Sequence, residues 1–318
     1  MTRDDILAAR DRIGGNVRHT PLLNAPALDA LAGRRVWLKA ECLQHTGSFK
    51  ARGGWSALSA LAPEVRARGV IAYSSGNHAQ GVARAAAAFG VAAVIVMPRD
   101  APGVKIANTR ALGAEVVLYD RVSEDRDAIG ARLAAERGLS LIKPFDDARV
   151  IAGQGTVGLE LLADLPAGWH GEVLVPCGGG GLTAGVALAM EGSGALVRPV
   201  EPEGFDDTAR SLASGRIERN AHASGSVCDA IVTPSPGALT FPVMRRLCGP
   251  GLAVSDDQAL RAMVLAFRHL RVVLEPGGAV ALAAALFAPG LAGDLVAIGS
   301  GGNVDEDIFT NAVRRFPG

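Results

Sequence analysis

Lysine is scarce in this sequence. Of its 32 basic residues only Lys39, Lys50, Lys105 and Lys143 are lysines, and the rest are arginines. A guanidinium stays protonated and cannot act as an amine nucleophile, so each lysine is a candidate for work arginine cannot do. Lys50 sits in "TGSFKARGG", between a glycine-serine turn and an arginine-glycine pair. A solvated lysine at a helix start has the same local appearance, so groups elsewhere in the chain must decide its role. The run Gly178–Gly181 in "VLVPCGGGGLTAGVALAM" is the second candidate. Four glycines between a strand and a helix can bring bare N–H groups against an anion. They lose much backbone entropy on ordering, which makes an idle loop an expensive alternative.

The elements that must position these groups are legible as an alternation. "RVWLKA", "GVIAYSS", "VAAVIVMP", "AEVVLYD", "LSLIKP", "GEVLVPCG", "ALVRPVEP" and "DLVAIGSG" read as strands. Helix-length stretches lie between several of them, including "NHAQGVARAAAAFG", "EDRDAIGARLAAERG" and "VIAGQGTVGLELLADL". This rhythm predicts α/β architecture with mostly parallel sheets and helices on both faces. So many strands in one sheet would be unusual, which favours two doubly wound units. No linker marks their boundary, so the chain is expected to pass between lobes more than once. Ligands of such sheets sit beyond the carboxyl ends of the strands. "SSGNHAQG", "CGGGGLTAG", "EPEGFDD" and "GSGGN" all fall at strand exits, and together they locate a site.

Two anions fit the glycine loop. Gly179, Gly181 and Ala184 match GxGxxA, and Glu201 lies where a ribose-binding acid would, which is a dinucleotide pattern. That reading implies a nicotinamide-dependent oxidoreductase and leaves Lys50 and "SSGNHAQ" without a role. The other anion is one phosphate monoester on a smaller cofactor, whose remainder the other clusters would hold.

Taken in order, "TGSFKARGG", "SSGNHAQG", "PCGGGGLTAG" and "GSGGN" resemble the fold-type II pyridoxal-phosphate enzymes, a tryptophan-synthase-β-like fold. Within them the chain is most similar to the serine/threonine dehydratase and serine racemase group. "HTPLL", "IAGQGTVGLELL", "VEPEGFDD" and "LEPGGA" extend the resemblance nearly end to end, and "SGNHAQ" departs from the SGNTG of the cysteine-synthase branch. The resemblance implies that Lys50 holds the cofactor covalently through its ε-amine and later moves protons at the substrate Cα. Phe49 would help position the cofactor, Asn77 would bond the pyridoxal 3′-oxygen, and Gly178, Gly179, Gly180, Gly181 and Leu182 would hold the phosphate. Ser300 would face the pyridine nitrogen as a weak partner, leaving that nitrogen largely unprotonated and favouring loss of a β-substituent. Ser74, Ser75, Gly76 and His78 would surround the substrate carboxylate, with Ser75 able to hold a proton on the face opposite Lys50. The expected division is a large lobe of residues 1–47 and 144–318 and a small substrate-side lobe of 48–143.

Glu201 and Asp207, six residues apart with a turn between, suit a hard cation such as Mg²⁺, Ca²⁺ or Mn²⁺. Racemase-like members resemble this arrangement, with a carbonyl that would here belong to Phe205. Arg126 in "SEDRDAIGAR" lies near the position where such relatives place an arginine able to meet a second carboxylate, which would favour 3-hydroxyaspartate over threonine. The expected activity is a hydroxy-amino-acid dehydratase, or ammonia-lyase, with racemisation as a side or alternative activity. The short stretch beyond "SGGN" is expected to hold no regulatory domain, so feedback inhibition by isoleucine is not expected.

Composition sets the outer bounds. With 49% hydrophobic residues and mean hydropathy of +0.24 the chain is well-buried globular protein. Zero net charge and no basic stretch interleaved with aromatics argue against nucleic acid. The amphipathic start "MTRDDILAARDRIGG" has no signal-peptide core, and no apolar run is long enough to span a membrane. Cys42, Cys177, Cys228 and Cys248 show no metal-ligand spacing and read as reduced thiols. A cytoplasmic enzyme with a small amino-acid substrate is expected, dimeric by resemblance.

Overall fold

In a computed structural model of the chain, which describes residues 1–74, 76–101, 103–120 and 122–317, the strands form two separate sheets. The strands are β1 (Leu22–Asn24), β2 (Val36–Lys39), β3 (Val70–Tyr73), β4 (Ala93–Pro98), β5 (Glu115–Tyr119) and β6 (Ser140–Leu141). They continue with β7 (Glu172–Pro176), β8 (Leu196–Pro202), β9 (Leu252–Val254) and β10 (Leu295–Ile298). The large sheet runs β1-β2-β10-β7-β8-β9, and only β1 is antiparallel to its neighbour. The small sheet runs β5-β4-β3-β6 and is wholly parallel. All eight runs read as strands are present. The edge strands β1 and β9 went unread because three residues are too short to show a period.

Both sheets have a point where the strand order reverses. From β7 the chain builds outward to β8 and β9, then returns to β10 on the other side of β7. From β3 it builds outward to β4 and β5, then returns to β6 on the other side of β3. Ligand crevices open at such switch points, outside the strand carboxyl ends. One crevice therefore lies beyond β7 and β10, where "CGGGG" and "SGGN" exit. The other lies beyond β3 and β6, where "SSGNH" and "KPFDD" exit.

Glycine sets how closely the helices beside these crevices pack. Lys50–Ser59 carries Gly53 and Gly54, and its neighbours Asn77–Phe89 and Ala148–Asp164 carry Gly81 and Gly153. A Cβ on Gly54 would lie 2.6 Å from the Gly81 carbonyl oxygen, and one on Gly81 equally close to that of Lys50. A Cβ on Gly153 would lie 2.6 Å from the Arg52 carbonyl oxygen. The Lys50 helix is thus clamped backbone to backbone between a small-lobe helix and the long helix leading to β7. Any side chain at those positions would push the lysine out of place.

A buried ionic cluster holds the same helix start. Arg52 Nε and Nη2 donate to the two Glu41 carboxylate oxygens at 2.8 and 2.7 Å, while Nη1 and Nη2 donate to Glu160 at 2.6 and 2.9 Å. Thr156 Oγ1 and the Arg18 carbonyl accept the remaining bonds. Glu160 is shared with Lys39, whose Nζ lies 2.8 Å from it and 3.0 Å from Asp164. Arg52, Glu41 and Lys39 are all completely buried. The end of β2, the long helix and the start of the Lys50 helix are therefore joined by charge-assisted bonds.

Candidate active site

The turn that presents Lys50 is pinned to the exit of β10. Thr46 and Gly47 both take left-handed backbone conformations, at φ 59° and 71°. A β-branched residue there costs on the order of 1–3 kcal/mol, which the surroundings must offset. The Gly302 N–H donates to the Gly47 carbonyl at 2.9 Å, and the Phe49 N–H to that of Ser300 at 3.1 Å. Asn303 Nδ2 donates to the Thr46 carbonyl at 2.8 Å. "TGSFK" and "SGGN", about 250 residues apart in sequence, are thereby one structural unit. Ser300 is buried within it, and Phe49 is partly buried beside Lys50.

Scarcity alone does not single out Lys50, because Lys39 is completely buried while Lys50 is partly buried. What separates them is their partners. Lys39 lies against two carboxylates, whereas Lys50 Nζ donates to a neutral carbonyl, that of Pro144, at 2.6 Å. Burial pushes the Lys50 amine down from its ordinary 10.5 to about 8, against a smaller raising influence of Glu275. An amine so placed has a substantial neutral fraction near neutral pH and can serve as nucleophile and proton acceptor. Lys105 lies 3.5 Å from Asp229, and Lys143 is exposed.

The exit of β3 supplies the groups opposite. Asn77 opens the helix Asn77–Phe89, where its amide bonds Glu275 and Asn303 across the cleft at 2.6 and 2.7 Å. His78 is buried, and its Nε2–H donates to the Ile142 carbonyl at 2.9 Å. Burial, then the Lys50 charge, pushes its pKa down to about 3, so the ring is neutral. Its Nδ1 is buried without a protein partner and is an acceptor. Any donor His78 gives to a carboxylate is consequently its main-chain N–H. Ser74 Oγ accepts from the Gly76 N–H at 3.2 Å and shapes the loop. Ser75, the proposed second proton carrier, lies outside the described residues.

The glycine loop leads into the helix Gly181–Ala189, whose second residue, Leu182, is buried in the core. Its space is closed by Phe145. A Cβ at Gly179 would strike the Phe145 ring, and one at Gly181 would lie 3.0 Å from Phe145 Cβ. Gly180 has φ 88° and would carry a Cβ 2.5 Å from Met244 Cε. The positive φ is what favours glycine there, and a side chain would in addition displace the Met244 methyl group. Thr233 Oγ1, next to Gly178, is buried with no protein partner. Bare N–H groups, an orphaned hydroxyl and a helix N-terminus fit a phosphate monoester.

Sequence reasoning missed the segment 143–147. Pro144 receives Lys50, Phe145 packs on the glycine loop, and Asp146 accepts from the Leu239 N–H at 2.7 Å. Asp147 caps the helix Ala148–Asp164 through the Arg149 N–H. This strap crosses from the small sheet to the large one over the site. Its only advance signal is its place at the exit of β6, and that requires knowing the strand order.

Two further expectations fall away from Lys50. Arg126 starts the helix Arg126–Arg137, capped by Asp125, and is half-exposed above the Tyr73 ring at 5.6 Å. It stands at the small-lobe rim, beyond the exit of β3. Glu201 lies near the end of β8, and Asp207 opens the helix Asp207–Ser214 that follows it. Glu201 is completely buried and accepts main-chain N–H groups from Thr208 and Ala209 at 2.9 and 2.8 Å, out of reach of a ribose. Phe205 is buried on the turn between them.

A partly buried, weakly basic lysine amine, joined through Pro144 and Phe145 to a glycine cradle between two α/β sheets, defines an enzyme that fixes a phosphorylated carbonyl cofactor. Residues 13–301 match the family described as pyridoxal-phosphate dependent enzyme, and the chain belongs to that family. It is 42% identical to L-threo-3-hydroxyaspartate ammonia-lyase of Saccharomyces cerevisiae over 308 residues, 96% of this chain and 94% of that protein. Among solved structures it resembles a threonine deaminase from T.th., with 47% identity, TM-score 0.90, and 96% and 99% of the two chains covered. It also resembles maize serine racemase, with 36% identity, TM-score 0.92, and 99% and 97% covered. The oxidoreductase alternative has no support in these relatives.

Proposed function

We propose that the chain is a pyridoxal-phosphate-dependent dehydratase that converts a small β-hydroxy amino acid to a 2-oxo acid and ammonia. The observation that carries this reading is Lys50, a partly buried amine near pKa 8 bonded to the Pro144 carbonyl after β6, next to Phe49, which bonds Ser300 after β10. Relatives named for 3-hydroxyaspartate, threonine and serine support the substrate class. Bound pyridoxal phosphate would supply the electron sink that makes the Cα proton of an attached amino acid acidic. Gly178–Gly181 and Thr233 would hold its phosphate, Asn77 its 3′-oxygen, and Ser300 its ring nitrogen, with Phe49 alongside. Lys50 would take the Cα proton, and the strap and the Asn77 helix would keep water from the amine. The His78 main-chain N–H and the Ser74 hydroxyl would bind the α-carboxylate, with the Gly76 N–H joining them by giving up its bond to Ser74 Oγ, whereas the Ser74 N–H is held by the Val96 carbonyl. Racemisation would accompany elimination where Ser75 returns a proton to the opposite face. The lobes proposed for this reading are residues 1–47 with 144–318, and 48–143.

Arg126 is proposed to receive a second carboxylate. Its pairing with Asp127 is long, 3.9 Å, and leaves the guanidinium able to turn toward an anion. Arg126→Ala should then lower kcat/KM for 3-hydroxyaspartate by about tenfold to a hundredfold while changing serine and threonine by less than about threefold. Oxo-acid release from the three substrates measures this, and an equal loss on all three would count against it. No 2-oxo acid from any of them would remove the dehydratase reading.

A divalent cation between Glu201, the Phe205 carbonyl and Asp207 is part of the proposal. Among the described residues no cluster of three acidic, His or Cys side chains offers a metal site. The two carboxylates nevertheless fit a cation, because Asp207 Oδ2 is buried without a partner. Burial pushes Asp207 up to about 6, and burial followed by Asp207 raises Glu201 well above the carboxylate range. A cation would relieve both effects. Mg²⁺ at a hundred times its Kd should stabilise the protein by about 2.7 kcal/mol, read as a rise in Tm that a chelator reverses. The ion needs ionised carboxylates, so the rise should fade as pH falls through about 6. A Tm indifferent to Mg²⁺ and chelator would leave an acidic turn only.

A further inference from the structure

Glu275 precedes the helix Pro276–Phe287, and the foregoing roles give it nothing to do although it is 4% exposed. Its N–H donates to the Gly301 carbonyl at 3.0 Å, and its Oε1 accepts from Asn77 Nδ2 at 2.6 Å. A Cβ on Gly301 would strike Glu275 Oε1, so glycine there lets the carboxyl group reach Asn77 without moving. Asn303 completes the row, donating to Asn77 Oδ1 at 2.7 Å and to the Thr46 carbonyl at 2.8 Å.

These bonds have a single consistent polarity. The Thr46 carbonyl can only accept, so the Asn303 group facing it is its NH₂. Both hydrogens of that NH₂ are then committed, one to Thr46 and one to Asn77. The Asn77 atom facing Asn303 must be its carbonyl oxygen, which turns its own NH₂ to Glu275. A flipped Asn77 would set NH₂ against NH₂ at one end and carbonyl against carboxyl oxygen at the other. Unlike a free amide, whose orientation is open, Asn77 is fixed from both sides. One of its N–H hydrogens remains uncommitted, and the Glu275 oxygen that accepts the other polarises the group.

We propose that Glu275 is a positioning residue which, with Asn303, locks Asn77 as a hydrogen-bond donor and so sets the affinity for pyridoxal phosphate and the protonation of its ring oxygen. This rests on the reading of Asn77 as partner of that oxygen. Lys50, Lys105 and Asp229 are the other charged groups acting on Glu275, and all remain in place when it is changed.

The test measures cofactor affinity by equilibrium dialysis and the pH profile of the visible absorption band. It uses wild type, Glu275→Gln, Glu275→Ala, Asn77→Ala and the Glu275→Ala/Asn77→Ala double variant. Glu275→Ala should weaken binding at least about tenfold and displace the band's pH midpoint, while Glu275→Gln, still an acceptor for Asn77, should stay within about threefold. With Asn77 already removed, Glu275→Ala should add less than about twofold. Equal weakening in both backgrounds, or no change in either, would overturn the proposal. Should Glu275→Ala fail to fold, Asn303→Ala must show the same weakening, and unchanged binding there would overturn it. Wild type that takes up no cofactor would overturn the site reading. Asn77→Ala binding as tightly as wild type would overturn the assignment of Asn77 alone, and the inference with it in either case.

Discussion

Lys50→Ala protein is expected to lose at least about a thousandfold in kcat while keeping its fold. That loss follows from removing the group proposed to take the Cα proton, a function worth on the order of 10²–10⁴ by itself, together with the covalent anchor. Stability should change little, because alanine is a good helix former and Lys50 Nζ gives up one bond to the Pro144 carbonyl and a contact with the Phe49 ring. Lys50→Arg should be as inactive, since a guanidinium supplies charge without a usable amine. Turnover and Tm measured on the same preparations separate the two effects. A Lys50→Ala enzyme within about tenfold of wild type would mean that another base does the work.

Two residues along the same helix, the expected effect is the reverse. Arg52→Ala should destabilise the protein by about 3–5 kcal/mol, because Glu41 would be left completely buried without its fork and the partly buried Glu160 left with Lys39. That is a large share of a typical total of about 5–15 kcal/mol and should appear as a strongly lowered denaturation midpoint. Arg52→Lys should recover only part, since one ammonium cannot bond both carboxylates bidentately. Replacing Arg52 and Glu41 together by Met and Leu should cost less than Arg52→Ala alone, as the uncompensated charge goes with its partner. A stability for Arg52→Ala within about 1 kcal/mol of wild type would show that water or another cation reaches the carboxylates. The residual folded fraction should still bind cofactor, which keeps the structural role of Arg52 distinct from the chemistry of Lys50.

The fold was largely legible because its strands are runs of β-branched residues ended by glycine and polar clusters, and a parallel sheet buried on both faces needs such runs. β1 and β9 escaped because "LLN" and "LAV" are strands only by virtue of the neighbour each pairs with. The clusters at Lys50, Asn77, Gly178 and Ser300 were visible for the same reason as the strands, since exits concentrate glycine and short polar side chains. The roles of Glu275, Phe145 and Pro144 were not. A buried carboxylate, an aromatic ring and a prolyl carbonyl acquire meaning only from what lies across the cleft, and β6 beside β3 is not readable from chain order. Lysine scarcity pointed correctly to unusual residues, yet Lys39 shows that it marks burial as readily as chemistry. Arg126 could be picked out by its residue type and place in the chain, and the structure adds only the rim on which it stands.

The most direct measurement reduces the cofactor-loaded protein with borohydride and maps the product by proteolysis and mass spectrometry. Yellow protein should yield one fixed adduct, on the peptide containing Lys50, and Lys50→Ala protein should yield none. An adduct on Lys39, Lys105 or Lys143 in place of Lys50, or no adduct at all, would contradict the account.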